Sequence, residues 1–79
     1  MIFCSFKINN ESYTFQVESI YVGDSHCNLH FDKNYNKIEL YKFSLLNKLE
    51  LYKYPDDGHI GIKIPLDSIY WLKYDDEAK

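Results

Sequence analysis

His26, Cys27 and His30, flanked by Asp24 and Asp32, come nearest to a metal motif in this chain. On a helix the two histidines would share a face and could hold one zinc ion. On a strand, residues four apart stand about 13 Å from each other at ~3.3 Å per residue, and Cys27 points to the other side. One ion cannot span that distance, so the sequence assigns no metal ligand and no cofactor. A zinc-dependent site at His26 and His30 remains an alternative, favoured only if residues 23–32 are helical or irregular.

Other residues with chemical potential are less organised. Cys4 or Cys27 could act as a nucleophile only with partial exposure and a neighbouring base. Both fall at positions that alternation places inside, and nothing pairs them with a histidine. Two cysteines are too few for a disulfide framework, so they are read as buried free thiols. The pairs Asp56-Asp57 and Asp75-Asp76 are adjacent in sequence, which sends their side chains apart, so they suit a turn and a tail better than an acid/base pair. Three glycines, at 23, 58 and 61, are too scattered for a phosphate loop. No catalytic site is assigned and no enzymatic activity is expected.

The elements that must position these residues are strands. Ile2, Cys4, Phe6 and Ile8 recur with period two, and Tyr13, Phe15 and Val17 repeat the pattern after Asn9-Asn10-Glu11-Ser12. A two-residue loop at Asn10-Glu11 predicts a hairpin in which Ile8 faces Tyr13, Phe6 faces Phe15 and Cys4 faces Val17. Gly23-Asp24-Ser25 reads as a turn, and Cys27, Leu29 and Phe31 then supply the dry face of a third strand. Residues 32–37 read as a loop with Tyr35 at its tip.

From Ile38 to Tyr54 the pattern supports two structures. A tight turn at Asn47-Lys48 predicts a second hairpin with Tyr41, Phe43, Leu45, Tyr52 and Tyr54 on one face. The alternative is one short helix near residues 44–51, with Leu45, Leu46 and Leu49 at helical spacing and Ser44 as its cap. Pro55-Asp56-Asp57-Gly58 is a turn signal, and a type I′ turn at Asp57-Gly58 would set Tyr54 opposite Gly61. Ile60, Ile62 and Ile64 alternate up to Pro65, and residues 69–74 form a last strand.

Short strands punctuated at 8–12-residue intervals indicate an all-β fold, a small antiparallel barrel or sandwich of about five to seven strands. Residues 1–74 are read as one β domain and residues 75–79 as an acidic tail. No apolar run approaches the ~20 residues of a membrane span, and the N-terminal residues lack the form of a signal peptide, so a cytoplasmic location is expected.

Twelve acidic residues face nine cations, all lysine, giving a net charge of −3. That balance argues against nucleic acid, whose phosphates are bound mainly through lysine and arginine. Aromatics make up 18% of the chain, with eight tyrosines among them. Each buried hydroxyl needs a partner, and tyrosine is favoured at protein interfaces. The expected function is non-enzymatic protein binding: a small inhibitor, of the kind a phage uses against host defence or an immunity protein uses against a toxin. The expected surface comprises Tyr41, Phe43, Tyr52 and Tyr54 with Asp56, Asp57, Asp75, Asp76 and Glu77, facing a partner with a basic surface. A small barrel binding nucleotide or single-stranded nucleic acid on that aromatic face is the second reading. Homodimer formation through apolar edge strands competes with both.

Overall fold

The computed structural model describes residues 2–55 and 58–76, and among them seven strands and one helix follow in chain order. The strands are β1 (Ile2–Ile8), β2 (Glu11–Val17), β3 (Ser19–Val22), β4 (His26–Phe31), β5 (Glu50–Lys53), β6 (Ile60–Pro65) and β7 (Trp71–Asp76). Helix α1 (Lys37–Leu46) lies between β4 and β5, and a 3-10 turn (Leu66–Ser68) precedes β7. Two antiparallel sheets result, one ordered β2-β1-β7 and the other β3-β4-β6-β5. The fold is therefore all-β with one short helix. Among the described residues no helix is long and apolar enough to cross a membrane.

The first hairpin keeps its dry face but turns one residue earlier than the sequence predicts. Asn9 and Asn10 both have positive φ, 53° and 67°. Asparagine tolerates this conformation, and two successive positive φ values make the type I′ turn whose twist suits a hairpin. Phe6 consequently pairs with Tyr13 and Cys4 with Phe15, a two-residue shift from the expected register. An even shift leaves every side chain on its face, so Cys4, Phe6, Ile8, Phe15 and Val17 still enter the core.

After Val17 the chain leaves the first sheet and enters the second within one residue. The Glu18 N–H donates to the His30 carbonyl at 2.8 Å, and Ser19 then pairs with His30. Glu18 thus marks a corner joining the two sheets. Their inner faces meet in one core, to which β4 contributes Cys27, Leu29 and Phe31, and β6 contributes Ile60, Ile62 and Ile64.

Helix α1 overturns the hairpin expected between Ile38 and Tyr54, and it begins upstream of the alternative helix at 44–51. The Asn36 side chain accepts from the Ile38 and Glu39 N–H groups at 3.1 and 3.2 Å, capping the N-terminus. At the other end Lys48 adopts φ 55° and donates to Leu45, while Leu49 donates to Ser44 at 2.8 Å. This pair of bonds is the Schellman stop. Asn47-Lys48 is punctuation, as the sequence suggests, but it ends a helix instead of turning a hairpin. Ser44 is buried inside the helix, its hydroxyl donating to the Tyr41 carbonyl at 3.1 Å, and is not the cap.

Two smaller differences concern the ends of elements. Tyr35 packs partly buried against the core, its ring 5.0 Å from that of Phe31, instead of standing at a loop tip. β7 runs through Asp76, so Asp75 and Asp76 lie in a strand and not in a tail.

Candidate functional site

The four aromatics expected to form one face are divided among three environments. Phe43 is in the core, its ring 4.7 Å from Tyr13 and 4.9 Å from Phe15. Tyr41 points outward from α1. Tyr52 and Tyr54 lie on the outer face of the second sheet, contributed by β5 and the residue just beyond it. The helix is the physical cause, because residues two apart share a strand face but lie about 200° apart around a helix. Asp56, Asp57 and Glu77 lie outside the described residues, and Asp75 and Asp76 are placed by their strand alone.

Two surfaces emerge in place of the single one. The first is the outward side of α1. Leu40, Phe43 and Ser44 face the core, whereas Ile38, Tyr41, Leu45 and Leu46 are 66%, 41%, 82% and 72% exposed. These four stand at i, i+3, i+7 and i+8 on the outward side, with exposed Lys42 among them, one turn from both Ile38 and Leu46. A groove of about 330 Å³ separates the helix from β2, with Tyr13, Phe15 and Phe43 at its floor and Glu39 and Lys42 among its lining. An amphipathic helix serving only the fold would carry polar groups on the outward side. Here four large apolar residues share the outward side with Glu39 and Lys42.

The second surface is a linked cluster on the outer face of the second sheet. Gly61 pairs with both His30 and Tyr52, so the three share a face. The Tyr52 ring lies directly over Gly61, where an added Cβ would stand 2.5 Å from Tyr52 Cζ. The expected pairing of a large ring with this glycine is present, but the ring is Tyr52 and not Tyr54. From there the Tyr52 and Tyr54 hydroxyls meet at 3.3 Å, and the Tyr54 ring stacks on His30 at 4.4 Å and 11°. His30 meets His59 edge-on at 4.9 Å, and His59 Nε2 lies 2.9 Å from Glu18 Oε1.

Ligand atoms of Glu18, His30 and His59 all lie within 4.8 Å of one another. His30 Nε2 is buried and has no hydrogen-bond partner among the described residues. His26 stands elsewhere on β4, its Nδ1 2.8 Å from Ser25 Oγ. Sequence reading missed Glu18 and His59 because neither is near His30 along the chain. A sheet corner brings in the first and the turn before β6 the second.

Burial raises both thiols. Cys4 is pushed up to about 12, first by burial and then by repulsion from Cys27, and Cys27 is pushed up to about 11 by burial. Neither offers a nucleophile near neutral pH.

Gly61 tests how firmly the cluster is held. Gly61→Ala is expected to cost about 1–2 kcal/mol by expelling the Tyr52 ring. In a Tyr52→Ala background the same change should instead stabilise by about 0.5–1 kcal/mol, because alanine is better than glycine in a strand interior. A double-mutant cycle of urea midpoints measures the coupling.

Comparison with family models, with curated proteins and with solved structures finds no match to this chain.

Proposed function

We propose that this chain is a non-enzymatic protein-binding module that docks through the outward face of α1. The exposed stripe Ile38, Tyr41, Leu45 and Leu46 carries the reading, on a helix held in place by Leu40 and Phe43 behind it. An apolar helix face of this kind fits a complementary groove or ridge on another protein, with anchors at i, i+3 and i+7. Scattered surface apolar residues are ordinary, and four large ones on one side of a short helix beside an open groove support the reading of an interaction surface.

The occupant is a protein that presents an apolar centre within a basic rim. A basic rim would complement the −3 balance of this chain and acids such as Glu39, with Lys42 on the same face meeting the apolar centre through its methylene stem. The chain has no arginine, so any guanidinium in the interface comes from the partner. An inhibitor of the anti-defence or immunity type, which acts by covering what it binds, fits this reading.

The helix face can be altered without disturbing the core. Ile38→Ser with Leu45→Ser is expected to weaken partner binding by at least about 30-fold, the effect of losing an interface anchor worth about 2 kcal/mol. Stability should change by about 0.5 kcal/mol or less per site, as for other exposed positions. Binding to the partner recovered from the native host, measured by calorimetry beside thermal unfolding, provides both readings. Unchanged affinity would overturn the proposal. So would a concentration-dependent homodimer abolished by the same two changes, since it would identify a second copy as the occupant.

A further inference from the structure

We propose that Glu18, His30 and His59 form a binding site for one divalent transition-metal ion of the zinc class, independent of the helix face. The three residues come from separate parts of the chain: the corner between β2 and β3, strand β4, and the turn leading into β6. Two imidazoles and one carboxylate make a donor set that zinc accepts, leaving a fourth position for water or another ligand. The donors fall within 4.8 Å of one another in the folded chain.

Distances require only local adjustment. Around a tetrahedral zinc with bonds of 2.0–2.1 Å, ligand atoms stand about 3.4 Å apart. The 2.9 Å contact between His59 Nε2 and Glu18 Oε1 must open slightly, while the His30 donor already lies within 4.8 Å of both partners. Glu18 can supply that movement, because its side chain is 51% exposed. His30 is the more rigid ligand, with Tyr54 stacked on its ring and its backbone tied to Glu18. Its Nε2, buried and without a partner among the described residues, is a costly group to leave unsatisfied, and a metal bond would satisfy it. Tyr54 acts from behind the ligand by fixing the ring plane, the role that outer groups commonly play around metal-bound histidines.

This set resolves the spacing problem of His26 and His30. A strand holds those two about 13 Å apart. The sheet corner and the β5–β6 turn bring different partners to His30, and His26 stays outside.

Titration of the metal-free chain with Zn²⁺ at pH 7.5, in competition with a chelator of known affinity, tests the site. One ion per chain is expected, with weaker binding at pH 5.5 because only neutral imidazoles bind metal. Glu18→Gln, His30→Gln and His59→Gln should each weaken binding by at least about tenfold, the lower end of what even outer-group changes cause, while His26→Gln leaves it unchanged. Co²⁺ loaded into the unaltered chain should give the visible bands of a tetrahedral nitrogen and oxygen site with no thiolate charge-transfer band. Absence of stoichiometric uptake, a thiolate band implicating Cys4 or Cys27, or an equal loss in His26→Gln would overturn the proposal. The cobalt spectrum needs no substitution, so it decides even where a variant fails to fold.

Discussion

Replacing Phe43 by alanine is expected to remove about 3–5 kcal/mol of folding stability, the usual cost of emptying a buried phenylalanine site. For a chain of 79 residues this is a large share of the total, since native domains hold roughly 0.05–0.15 kcal/mol per residue. The position is sensitive because the ring joins the helix to the first hairpin. Its centroid lies 4.7 Å from Tyr13, 4.9 Å from Phe15 and 6.0 Å from Phe6, two of these contacts edge-on and close. Such pairs add about 0.5–1.5 kcal/mol beyond the area they bury. Without the ring, Leu40 is the remaining fully buried apolar anchor of α1, and a helix of ten residues is marginal without packing. Urea unfolding followed by circular dichroism should show the midpoint falling sharply. Phe43→Leu should recover most of it, with a cost below about 1.5 kcal/mol. A loss under about 1 kcal/mol for Phe43→Ala would mean that the helix is held by something other than this ring.

The second large effect is alkaline. Cys4 and Cys27 are both fully buried, and their thiols are raised from an ordinary value of 9.0 to about 12 and about 11. A raised thiol pKa means that the folded state favours the neutral form. Its contribution to stability is therefore complete below the unfolded value near pH 9 and is lost as pH climbs toward the folded values. Tyr52 acts in the same direction above pH 10, raised to about 12 by burial first and its hydrogen bond to Tyr54 second, though its partial exposure makes its share smaller. The urea midpoint should hold steady from pH 6 to 8 and fall from pH 9 to 11, and a Cys4→Ala, Cys27→Ala chain should show a flatter fall. Reactivity gives a larger signal. At pH 8 a thiol raised to about 12 carries about 10³-fold less thiolate than one at 9.0, so alkylation of the native chain should run at least about 100-fold slower than in urea. Equal rates would show that the thiols are not held as described.

How much of this was legible in the sequence depends on what each residue pattern could encode locally. The first hairpin was readable because alternation fixes which face is dry, and a two-residue shift does not alter that. Its turn was harder to place: Asn9, Asn10 and Glu11 are all acceptable loop residues, and the decision rests on the positive φ of the two asparagines. Helix α1 was obscured by its apolar outer stripe. With Ile38, Tyr41, Leu45 and Leu46 outside and Leu40 and Phe43 inside, neither helical nor strand periodicity stands out. Asn36, the residue that starts the helix, reads equally well as a loop asparagine. The same feature that hid the helix is the one that supports the proposed role in binding.

The cluster at Glu18, His30 and His59 was illegible for another reason. Its members meet through the sheet corner and the pairing of β4 with β6, and no short spacing announces that contact. Of the three, only His30 stood out in the sequence, beside His26 and not its partners in the fold, and Gly61 left a trace as a glycine expected to lie beneath a tyrosine.

The central claim is that the outward face of α1 meets another protein, and a photo-reactive amino acid at position 45 tests it most directly. Introduced in place of Leu45 and activated in the native host, it should form a covalent adduct with a second protein whose contact surface is apolar and rimmed by lysine or arginine. The same group at Tyr21, an exposed position on β3, should give no such adduct. No adduct from position 45, adducts only to a second copy of this chain, or the same products from both positions would contradict the account.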